Sequence, residues 1–309
     1  MRIIKYKIVP LAIIILCLCS IEAASQAEIR HFFLLASAGD VRLYDKGKDA
    51  FNNLVKAGDE AVPYLITQLG RKNIRKVITA ERALTEIGDD AVSNLIEALA
   101  DTNKRIASIS ASILGNIGNR DALPSLMVAA QHGYSGLRGS ACSALGDFRD
   151  TVAVTVLINA LGDSIPGVRR AAALALGIIG TRRAIEPLFA LLADTVYSVR
   201  YTAEGALTKI KHPKVRLIAL ASVDSAESPE KYHLIVVLGS TKSLEALDAL
   251  EKYLQDADYH IRGFACEALG YFRGNWKVAN MLKRTLWDNS EFVKIQAEKA
   301  LNRFRKQKV

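Results

Sequence analysis

Aromatic residues make up only 7% of this chain, and alanine and leucine dominate it instead. That balance suits helix packed on helix, where small side chains let backbones approach. Seven prolines and 20 glycines in 309 residues are too few for a collagenous or a disordered chain. Histidine is equally sparse. His31, His132, His212, His233 and His260 stand far apart, and none falls into an HxH or HExxH spacing. Beyond the first two dozen residues there is no CxxC, so no metal-ligand set is suggested. Neither a Gly-x-Gly-x-x-Gly turn nor a phosphate loop occurs. Gly133-Tyr134-Ser135-Gly136 has its second glycine one residue too early for a nucleophile elbow. These absences point away from catalysis, and we expect no cofactor and no bound metal.

The N-terminus is patterned as an address. Arg2, Lys5 and Lys7 precede an uncharged run, IVPLAIIILCLCSI (8–21), and small residues follow at Ala23, Ala24, Ser25 and Ala27. A basic start, an apolar core and a small-residue exit form a secretory signal peptide, with cleavage expected after Ser25 or Ala27. The apolar run is shorter than the ~20 residues of a spanning helix. Retention as an N-terminal anchor is the alternative. A lipid-modified Cys19 would need a small residue where Leu18 stands. With this segment go Cys17 and Cys19, leaving Cys142 and Cys266. The net charge, +9 for the whole chain, falls to +7 without Arg2, Lys5, Lys7 and Glu22.

What fills the rest is a repeat. Leu84, Leu114, Leu145, Leu176, Leu207, Leu238, Leu269 and Leu301 recur at intervals of 30 to 32 residues, and five of them precede a glycine. Within one unit Val168, Ala171, Ala172, Ala175, Leu176 and Ile179 lie at i, i+3, i+4, i+7, i+8 and i+11, one face of an α-helix. The same columns return as Ile261, Phe264, Ala265, Ala268, Leu269 and Phe272. The turns Gly58-Asp59, Gly88-Asp89, Gly118-Asn119 and Gly180-Thr181 close the first helix of each hairpin. A second apolar helix follows, with Pro63, Pro124 and Pro187 in its opening turn. Asp101, Asp163, Asp194, Asp256 and Asp288 then begin the next unit, at or near an N-cap. A single hairpin cannot bury both faces, so the units must stack. The fold class is all-α, a right-handed α-solenoid of about eight two-helix repeats of ~31 residues. We divide the chain into a signal or anchor (1–25), an N-terminal capping segment (26–44) and the repeat domain (45–309).

The runs DSIPGVRRAAALALGIIGTRRAIEPLFALLAD (163–194) and DTVYSVRYTAEGAL (194–207) closely resemble the HEAT-like repeat of phycobilisome lyases. The resemblance spans residues 45–305 and implies a HEAT/armadillo-like superhelix. It also implies that Asp163 with Arg169, Asp194 with Arg200 and Asp256 with Arg262 belong to a structural inter-repeat ladder. Arg138 keeps the base of that ladder, while His132 stands at the acid's place. The unit at 211–242 departs from the pattern, with Glu230 in the anchor column, and reads as a loosened hairpin.

Repeat stacks offer surface rather than a pocket, so we expect a non-catalytic protein-binding scaffold outside the cytoplasm, periplasmic or secreted. The partner is expected to be a protein, held along the concave face or a loop edge. Candidate contact residues are Tyr134, Tyr197, Tyr259, Trp276 and Trp287, since aromatic anchors dominate interfaces. Nucleic acid is not expected, because acids are interspersed among the basic pairs Arg71-Lys72, Arg75-Lys76 and Arg169-Arg170 and export argues against it. Membrane contact is expected only if the N-terminal segment stays. The resemblance leaves a chromophore-lyase-like or other enzyme subunit as an alternative, and an uncleaved anchor would make the chain a membrane-surface adaptor. Cys142 and Cys266 share a column four repeats apart, about 40 Å, too far for a disulfide.

Overall fold

The computed structural model describes residues 25–38 and 44–305, and every regular element among them is helical. The basic start and apolar run of the expected export signal lie outside the described residues. Among the described residues no helix is long and apolar enough to cross a membrane. Contacts divide the chain into two units, Met1–Leu126 and Met127–Val309.

In the first unit α1 (residues 25–36) precedes α2 (Tyr44–Lys56), α3 (Val62–Leu69), α4 (Ile74–Ile87), α5 (Val92–Ala98) and α6 (Lys104–Ile117). Helices α2, α4 and α6 lie in sequence beside one another, with α3 and α5 packed against them. Each hairpin turns on a glycine with positive φ, 55° at Gly58, 72° at Gly88 and 75° at Gly118. Glycine, with no Cβ, takes up these values at least cost. Helix α1 covers the end of this stack. It buries Ile29 and Phe33, and the Phe33 ring meets Tyr64 of α3 edge-on at 5.6 Å.

Helix α7 (Leu123–His132) contains the division point. The second unit continues with α8 (Ser135–Asp147), α9 (Val154–Ala160), α10 (Pro166–Ile179), α11 (Ile185–Ala190), α12 (Tyr197–Lys209) and α13 (Pro213–Ser222). It ends with α14 (Glu230–Ser240), α15 (Leu244–Tyr253), α16 (Tyr259–Leu269), α17 (Trp276–Thr285) and α18 (Glu291–Arg305). Helices α8, α10, α12, α14, α16 and α18 form one row, each packed on the next, and the intervening helices flank it. This alternation of two helix rows is an α-solenoid of HEAT/armadillo type.

The packing follows the sequence columns. Val168, Ala172, Ala175 and Leu176 are buried, as are Ala141, Ala203, Ala265 and Ala297 in the small-residue column. Ala171 and Ile179, at the margins of the same face, are half-buried. A buried leucine of this kind contributes about 2 kcal/mol by leaving water. The glycine after the repeated leucine has a separate cause. A Cβ on Gly146 would lie 2.8 Å from Ala175 Cα, on Gly177 2.7 Å from Ala206 Cβ, and on Gly239 2.6 Å from Ala268 Cβ. Row helices touch backbone to backbone at these points. Between α12 and α14 the corresponding residue is Thr208, and a cavity of about 310 Å³ opens there, lined by Thr208, His212, Arg216, Ser240 and Thr241.

The repeated acids sit two residues ahead of the N-caps. Asp163 accepts from Ile165 N–H, Asp194 from Val196 N–H, Asp256 from Asp258 N–H and Asp288 from Ser290 N–H, at 2.8 to 2.9 Å. These carboxylates turn the chain into the helix and keep their remaining lone pairs for another partner.

Candidate protein interface

For Asp163, Asp194 and Asp288 that partner is an arginine of the preceding repeat. Arg138 donates through Nε and Nη2 to Asp163 at 2.7 and 2.8 Å. Arg169 holds Asp194 in the same way at 2.7 and 2.9 Å, and Arg262 holds Asp288 at 2.8 and 2.9 Å. Each Nη1 meanwhile donates to a carbonyl at the foot of its own helix: Gly133 for Arg138, Asp163 for Arg169, Asp256 for Arg262. The side-chain ladder therefore steps from one repeat to the next, and the residue pairs within a repeat meet only through the backbone carbonyl. These forks hold the Asp163, Asp194 and Asp288 carboxyls below the usual carboxylate range.

The ladder breaks at α14. Arg200 donates Nη1 to Asp194 O at 2.7 Å, but Ser225 stands where its acceptor would be, and its Nε is buried without a hydrogen-bond partner. The next base is Lys231, whose Nζ lies 5.7 Å from the Tyr253 ring. A different set of bonds ties α14 to its neighbours. Glu204 of α12 and His233 of α14 pair at 2.7 Å, both buried. Tyr232 donates to Asp258 at 2.9 Å. Burial pushes the Glu204 carboxyl up, and the His233 hydrogen bond opposes that rise.

Rings cluster around this break. Tyr197 and Tyr201 stack at 6.0 Å, Tyr197 meets His233 at 5.9 Å, and His233 meets Phe264 at 6.4 Å. Phe264 stacks on Tyr232 at 5.1 Å and meets Phe292 at 6.1 Å, and Phe292 meets Tyr259 edge-on at 6.2 Å. The row runs across α12, α14, α16 and α18. At its near end Tyr197 is 58% exposed and Tyr201 57%, and at its far end Tyr259 is 44% exposed. Arg200 lies over the Tyr197 ring at that end, 5.7 Å from its centroid.

Two of the five aromatic candidates thus fall in one row, Tyr197 and Tyr259. Tyr134 is half-buried at the N-cap of α8, two row helices before α12. Trp276, 77% exposed, opens α17 at the end of the hairpin opposite Tyr259. Trp287, 88% exposed, returns to the Tyr259 end and borders a cavity of about 600 Å³ with Arg262, Asp288 and Arg284. Tyr201, Tyr232, His233 and Phe292 escape the sequence reading, and Phe264, read there as core, is half-buried within the row. The available signal was Tyr201 four residues after Tyr197, on the same helix face.

Cys142 and Cys266 are free and buried, and burial pushes both thiols up to about 12. Among the described residues no group of three His, Cys, Asp or Glu converges as a metal-ion site.

The model of the HEAT-repeat family matches residues 128–208 and 212–302, more than half of the chain. No curated protein matches it in sequence. Among solved structures, the chain is similar to the YibA protein of Escherichia coli at 24% identity and a TM-score of 0.53, covering 84% of this chain and 97% of that one. It is also similar to a chain of the Kap95:Nup1 complex at 15% identity and a TM-score of 0.59, covering 82% of this chain and 41% of that one. A chain of the CpcE and CpcF complex of phycocyanin lyase from Nostoc sp. PCC7120 aligns at 20% identity and a TM-score of 0.40, covering 78% and 92%. At such identities the likeness concerns the fold alone. With its repeats matched over both halves of the second unit, the chain belongs to the HEAT-repeat family.

Proposed function

We propose that the chain is a non-catalytic scaffold that binds a protein partner outside the cytoplasm, across the aromatic row of α12 to α18. The observation that carries this reading is the contiguous row itself, with Tyr197 and Tyr201 exposed on adjacent turns of one helix. Large rigid rings supply contact area at low cost in side-chain entropy. The Glu204–His233 bond and the Tyr232–Asp258 bond hold the row in place before any partner arrives. A protein partner on a HEAT-type stack has a precedent in the Kap95:Nup1 complex.

The test is a pull-down from the native envelope fraction, followed by affinity measurement with the partner it identifies. Replacing Tyr197 and Tyr201 by alanine removes two exposed rings without opening the core. It should weaken binding on the order of 100-fold, as the loss of paired hot-spot anchors does. Unchanged affinity in this double variant would place the partner elsewhere and sink the reading. Export has its own measurement. Intact mass of the protein from its native source should correspond to a chain starting at Gln26 or Glu28, and a mass that includes Met1 to Ala24 would remove the signal-peptide assignment.

A further inference from the structure

Four cations surround one open cleft in the first unit. Arg30 of α1 and Arg71, Lys72 and Lys76 around the start of α4 line a cavity of about 890 Å³, together with Gln26 and Tyr64. No Asp or Glu lines it, and among the described residues none of the four cations is in an ion pair. Glu60, the acid nearest Gln26 in contact, accepts from Ser25 Oγ at 2.6 Å and lies outside the lining. The ladder arginines of the second unit differ, since Arg138, Arg169 and Arg262 each hold a carboxylate.

The cleft is built on fixed parts. Asn73 caps α4 by accepting from Arg75 and Lys76 N–H, which sets the loop that carries Arg71 and Lys72. Gln68 Nε2 donates to Thr67 Oγ1 at 2.9 Å, and Thr67 Oγ1 donates to Tyr64 O at 2.7 Å. The Arg30 guanidinium lies 5.9 Å from the Tyr64 ring. Four like charges around one concavity raise its positive potential and concentrate anions there.

We propose that this cleft binds phosphate, either as the headgroup phosphate of an anionic phospholipid or as a free polyphosphate anion. A single carboxylate neutralises one of the four cations. A phosphate group brings several acceptor oxygens and up to two charges in one compact unit, and guanidinium and ammonium groups together match it. The assignment is independent of the aromatic row, which belongs to the other unit.

The experiment uses the full chain with two probes, vesicles of phosphatidylglycerol in phosphatidylcholine and inorganic pyrophosphate. Two triple variants carry the same change in net charge. One is Arg71→Ala, Lys72→Ala and Lys76→Ala. The other, at exposed positions of the second unit, is Arg273→Ala, Lys283→Ala and Lys299→Ala. Vesicles of pure phosphatidylcholine give the background from the apolar N-terminal run. The cleft variant should lose on the order of 100-fold in affinity for anionic vesicles relative to the other triple variant. Loss on vesicles with no measurable pyrophosphate binding supports the headgroup as the source. Loss on both probes, with pyrophosphate competing against vesicles, supports the free anion as well. Equal affinities in the two triple variants overturn the proposal. So does binding of polyglutamate with neither phosphate probe bound, which would give the cleft to an acidic protein segment.

Discussion

Replacing Arg169 with alanine should lower the stability of the second unit by about 3–5 kcal/mol, the typical cost of removing one partner of a buried ion pair. The pair is well sheltered, with the Arg169 and Asp194 side chains 13% and 8% exposed. The substitution strands the Asp194 carboxylate and also frees the Asp163 and Ser164 carbonyls that Nη1 satisfies. Urea unfolding followed by circular dichroism measures the loss. Glu86→Gln, which removes an exposed partner 3.9 Å from Arg82, should cost less than about 1 kcal/mol. The pH dependence follows in sign. Asp194 has a folded pKa below its unfolded value near ~3.9, so its contribution is complete above about pH 5 and is lost as pH falls through the folded value. The acid limb of the stability curve should therefore be shallower in the Arg169→Ala variant. A cost under about 1 kcal/mol, with an unchanged acid limb, would show that the fork is ornamental.

Gly177→Val should cost about 3 kcal/mol, at the upper end of what overpacking does in a close-packed interior. Its first added atom would lie 2.7 Å from Ala206 Cβ and 2.8 Å from Ala206 Cα, so α10 and α12 must separate along their contact. Backbone on the far side cannot swing away as a flexible side chain would. Gly205→Ala gives the contrast. That glycine is also inside a helix, but nothing lies within 4 Å of its added Cβ. It should gain up to about 1 kcal/mol from helix propensity. Thermal unfolding of the two variants side by side measures both signs. Equal behaviour would mean that the helix contact at Gly177 is looser than the geometry has it.

The repeat was legible because stacking imposes a period that local chemistry must honour. The leucine and small-residue columns answer to contacts between row helices, and the positive-φ glycines to turns that recur in most units. The Asp–Arg ladder was legible as a pair of columns, but its direction was not. A sequence spacing of 6 between Asp163 and Arg169 looks like the pairing distance, whereas the side-chain bond joins Arg169 to Asp194, 25 residues on. The aromatic row was only half visible. Tyr197 and Tyr259 share a column, but Tyr232, His233 and Phe264 join them through contacts between helices, which no single period encodes. The departure at 211–242 was visible as decay. What it did, removing an acceptor from Arg200 and substituting the Glu204–His233 bond, needed three dimensions.

That substitution has a mechanical consequence. A two-armed guanidinium fork fixes both the separation of two helices and the angle between them, because rotation stretches one arm. The bond between Glu204 and His233 is a single point of attachment, and a single point fixes separation alone. Thr208 stands where Gly146, Gly177 and Gly239 make the close backbone contacts of the other steps, and the cavity lies beside it. The α12–α14 step is therefore less constrained in angle than the three steps that carry a fork. Because Tyr197 and Tyr201 stand on one side of it and Tyr232 and Phe264 on the other, the Glu204–His233 bond sets the spacing between the two halves of the aromatic row.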